Sequence, residues 1–146
     1  MRSKAIIAAL FATIVGGQLV LAETVKIDAC SLIAKADVEA VMGKLKEPAK
    51  ADTGIQGEKT CEFTNEAGQW SKISVYGADR WGMQKGSVSE MKPTALAKLG
   101  EEAFWVQRGS SAELYVRKGK YILEVDSSGG IKFAKPIAEK AIGNLK

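Results

Sequence analysis

Apolar residues recur along this chain with two periods, and the switches between them mark out its elements. Leu32, Ile33, Ala36, Val38, Val41 and Met42 are spaced by threes and fours, which predicts a helix with one apolar face. Asp28 or Ser31 can cap its start, and Gly43 is placed to stop it in the left-handed conformation. The pattern allows a break into two pieces near Lys35. Residues 44–59 are rich in charge and punctuated by Pro48, Gly54 and Gly57. They read as a long loop with room for one short irregular strand. The 60–64 and 69–76 runs then alternate around the turn Asn65-Glu66-Ala67-Gly68, predicting a β-hairpin in which Phe63 meets Ile73 and Val75.

Trp81, Val88 and Met91 can share a helical face over 78–91, although Gly82 and Gly86 each cost ~1 kcal/mol relative to alanine in a helix interior. Pro93 ends that segment, and 95–100 reads as a connecting turn. Three alternating runs follow at 103–107, 112–117 and 120–126, with Arg108-Gly109-Ser110-Ser111 and Lys118-Gly119 as tight turns between them. Pro136 is tolerated near the start of a last helix, whose inward stripe is Ile137, Ala141, Ile142 and Leu145. The expected architecture is α+β: a five-stranded, mostly antiparallel sheet in the order α-β-β-α-β-β-β-α, with the helices on one face.

The first residues follow a different pattern. Arg2 and Lys4 precede an apolar run over 5–15, Gly16-Gly17 breaks it, and Val20-Leu21-Ala22 suits a signal peptidase, so 1–22 reads as a signal peptide. The run is too short to span a bilayer comfortably. Residues 23–146 then form one domain with one core. Cleavage removes Arg2 and Lys4 from the 21 basic residues and leaves 19 against 17 acidic ones. The remaining lysines and arginines are scattered over loops, which speaks against nucleic acid. A periplasmic or secreted location also predicts that the two cysteines, Cys30 and Cys61, are bonded to each other.

The strings Cys30-Ser31-Leu32-Ile33, Val38-Glu39, Gly43 and Cys61-Glu62-Phe63 together resemble small exported bacterial proteins of unknown function, many of them lipoproteins. Leu99-Gly100-Glu101-Glu102-Ala103-Phe104 is similar to a Leu-Gly-acidic-Glu-Ala-Phe element of the same proteins. This chain lacks their lipidation cysteine. The resemblance implies an exported α+β domain, supports the disulfide and implies no activity.

The composition excludes much chemistry. The chain has no histidine, which removes the commonest general base and the Ser-His-Asp and Cys-His arrangements. With both cysteines bonded, a metal would need an all-oxygen site, and no calcium-loop motif is present. Ser89-Glu90-Met91-Lys92 matches a Ser-x-x-Lys string, but its companion motifs are missing. Glu101 and Glu102 are adjacent on a strand and so point to opposite faces. Gly77, Gly82 and Gly86 do not have phosphate-loop spacing. Neither enzymatic activity nor a cofactor or metal is expected.

Strand alternation offers one surface. It sets Phe104 and Val106 among the residues facing the helices, and it brings Trp70, Tyr76, Trp105, Tyr115 and Arg117 together on the opposite face. That mixture of aromatic and charged groups suits an interface for a protein, peptide or glycan. The same rings could equally pack across strands as plain cover for the sheet. The expected function is a non-enzymatic binding module with an unidentified macromolecular partner. The alternative is a structural or assembly factor of the cell envelope acting through the 44–59 loop, and a histidine-free hydrolase is a minor third.

Overall fold

The computed structural model describes residues 25–146; the expected signal peptide lies outside the described residues. A 3₁₀ helix (Ala29–Leu32) leads into α1 (Lys35–Met42), followed by β1 (Lys50–Thr53), β2 (Lys59–Thr64) and β3 (Trp70–Gly77). Helix α2 (Trp81–Ser87) lies between 3₁₀ turns at Ala78–Arg80 and Ser89–Met91. Then come β4 (Thr94–Ala95), β5 (Glu102–Arg108), β6 (Ser111–Lys118), β7 (Tyr121–Ser127) and α3 (Ile131–Asn144). All seven strands join one antiparallel sheet in the order β1-β2-β3-β7-β6-β5-β4.

This corrects the five-stranded expectation and its element order. The additional strands are β1, inside the expected 44–59 loop, and β4, beside the expected 95–100 turn. Neither carries apolar alternation. All four residues of β1 are exposed, so its pairing with β2 rests on backbone hydrogen bonds rather than on a buried side-chain row. Strand β4 has only two residues, both exposed.

The main core lies between one sheet face and the pair α1 and α3. Cross-strand neighbours Cys61, Ile73, Val125 and Leu114 form one buried row, with Val75, Leu123 and Val116 forming the next. Val38 and Met42 of α1 and Ala134, Ile137, Ala138 and Ala141 of α3 pack onto them. The break expected near Lys35 is present: Asp28 accepts from the Cys30 backbone N–H at 2.9 Å and caps the 3₁₀ helix, and α1 starts afresh at Lys35. Pro136 lies in the second turn of α3 rather than at its start. The Cys30–Cys61 disulfide joins the 3₁₀ helix to β2, with Cα atoms 5.0 Å apart.

The helices do not share a face, a second correction. The α2 segment crosses the other side of the sheet, where Trp81 and Val88 bury themselves against Phe104, Val106, Tyr115 and Ile122. Both faces of β5 are therefore covered, and its run of four consecutive apolar residues, 103–106, fits either phase. The expected phase is reversed: Phe104 pairs with Tyr115 under α2, while Ala103 and Trp105 face the main core. Gly100 sets the approach to β5. It has φ +62°, and a Cβ there would lie 2.5 Å from the Arg117 carbonyl oxygen, a position only glycine occupies without strain.

Candidate functional site

The five residues expected to form one surface are divided by the fold. Trp105 lies on the main-core side, across from Leu114. Tyr115 is on the α2 side but only 3% exposed, its ring stacked on Phe104 with centroids 5.0 Å apart. Arg117 and Tyr76 sit under the α2 segment: the Arg117 guanidinium carbon is 5.9 Å from the Trp81 ring centre, and that of Arg80 is 6.0 Å from Tyr76. Trp70 is half-buried at the far end of β3, where its backbone exchanges hydrogen bonds with Ser128. Much of the aromatic content is thus committed to a second core.

Beside this core is a polar cluster. The cross-strand row Ser74, Glu124, Tyr115 adjoins the row Lys72, Asp126, Glu113 on the same face. The Tyr115 hydroxyl donates to Glu113 Oε2 at 2.8 Å, and Arg108 pairs with the same carboxylate. Burial pushes the Glu124 carboxyl up to about 7, with Glu113 and Asp126 adding to the effect and the Tyr76 hydroxyl and Lys72 opposing it. Burial likewise raises Asp126, with Glu113 contributing. The Tyr76 and Tyr115 hydroxyls are also raised, first by burial and then by the Glu124 charge. At the edge of α2, Glu102 accepts from Trp81 Nε1 at 2.8 Å and from Lys85 at 2.7 Å, and the Lys85 hydrogen bond, followed by that from Trp81, holds its carboxyl below the usual range. Among the described residues no group of His, Cys, Asp or Glu is arranged to hold a metal ion.

A second feature stands on the hairpin formed by β1 and β2. Its turn closes with the Gly57 N–H donating to the Gly54 carbonyl at 3.0 Å and the Gly54 N–H donating to the Glu58 carbonyl at 2.9 Å. Gly57 has φ +79°, which favours glycine there. Ile55, at the tip, is 102% exposed. The turn is braced from outside the hairpin, because Arg80 donates to the Gln56 side-chain oxygen and, at 2.7 Å, to its backbone carbonyl. Met83, the other large apolar residue exposed among those described (54%), lies three residues beyond Arg80.

The opposite end of the same ribbon carries a concavity of about 420 Å³. Ile33, Leu45 and Phe63 contribute apolar walls, Pro48 and Ala49 lie at its margin, and Lys35, Lys46 and Glu47 give it charges of both signs. Both features fall within or beside the 44–59 segment. Their signal in the sequence is slight: Ile55 is a lone aliphatic between glycines, and Pro48-Ala49 is a lone uncharged pair among lysines and acids.

Comparison with protein-family models, with curated proteins and with solved structures finds no match to this chain. Among the described residues no helix is long and apolar enough to cross a membrane.

Proposed function

We propose that this chain is an exported, non-enzymatic binding domain that engages a protein partner through the tip of its β1–β2 hairpin. The observation that carries the reading is Ile55, fully exposed on a turn that Arg80 holds from outside the hairpin. Single exposed apolar residues are ordinary on protein surfaces. An apolar anchor on an already ordered turn is a different case, because little further conformational entropy is lost when it docks. A few such anchors carry most of the energy of a typical interface.

The disulfide supports a periplasmic or secreted setting, where oxidised cysteine pairs persist. The aromatic sheet face has less to offer a partner than its composition promised, since Tyr115 is buried and Trp105 faces the other way. The same hairpin also favours the second reading, a structural or assembly factor of the envelope working through residues 44–59.

Affinity capture from the native envelope fraction, with mass spectrometric identification, tests the proposal. Wild type and Trp70→Ala should retain the same captured protein, and Ile55→Asp should lose it. Loss on Trp70→Ala with retention on Ile55→Asp would move the contact to the sheet face and overturn the hairpin reading.

A further inference from the structure

We draw no further inference here: the strongest candidate, the outer edge of β1 beside the concavity of about 460 Å³ that Lys26, Asp28, Asp52 and Lys59 help to line, has charges of both signs and a Thr53 N–H already bonded to Asp52, and nothing in the structure shows what covers it.

Discussion

The Asn65 side-chain amide donates to the Met42 carbonyl at 2.6 Å and so ties the end of α1 to the turn between β2 and β3. Asn65 is 3% exposed, and its side-chain oxygen also accepts from the Gln69 N–H at 2.8 Å. Asn65→Ala leaves the Met42 carbonyl without this partner and frees the turn. The expected loss is about 2–3 kcal/mol, because a buried polar group without its partner costs its full desolvation. Urea denaturation, read as a lowered midpoint with an unchanged slope, checks it.

The disulfide should contribute about 3–4 kcal/mol in the chain-entropy model for a loop of this length. The Cys30→Ser, Cys61→Ser double variant should fold with that much less stability. Its denaturation midpoint should also be indifferent to added reductant, whereas the wild-type midpoint should fall on reduction. Equal midpoints for the variant and the disulfide-bonded wild type would assign the clamp no energetic role.

Glu124 gives the fold a pH dependence of definite sign. Its carboxyl is raised from 4.5 to about 7 in the folded protein, so the native state holds a proton that the unfolded chain releases. The associated stability is fully present below pH 4.5 and declines as the pH rises through 7. The span is at most about 3 kcal/mol. Glu124→Gln should remove this slope between pH 5 and 8 and raise the melting temperature at pH 8. An unchanged slope in that variant would place the dependence on other groups, Asp126 first among them.

The second core predicts a contrast between two aromatic residues of the same sheet face. Tyr115→Ala removes a ring packed against Phe104 and a hydroxyl bonded to Glu113, and it should cost about 3 kcal/mol or more. Trp70→Ala, at the half-buried margin, should cost under about 1 kcal/mol. Thermal melts of the two variants separate these values.

What could be read from the sequence follows from where burial is one-sided. Phe63, Ile73 and Val125 alternate with polar neighbours, and each falls in the main core as the alternation requires. The pairing of Cys30 with Cys61 likewise follows from there being two cysteines and from the exported setting that residues 1–22 predict. Alternation fails where both faces or neither face is buried. Phe104-Trp105-Val106 is apolar throughout because α2 covers the side that α1 and α3 leave free, so its phase is set by pairing with β6. Lys50-Ala51-Asp52-Thr53 is exposed throughout, and only its backbone ladder makes it a strand. The site was harder still. An exposed Ile55 leaves no periodic trace, and the interest of that residue comes from Arg80, a partner 24 positions away from Gln56.

The place of β7 in the sheet bears on how the protein is assembled. The last strand to be synthesised lies in the centre, between β3 and β6. Until residues 121–127 are available, the first three strands and the next three are separate ribbons, each with an unsatisfied inner edge. The α3 cover is missing as well, because α3 comes later still and packs on β6 and β7. The fold is therefore completed from its C-terminal end, and the incoming chain acts as a keystone. Folding should be correspondingly slow for its size, because the decisive contacts join residues far apart in sequence. A chain cut before Tyr121 would present two open strand edges to its neighbours instead of a closed sheet.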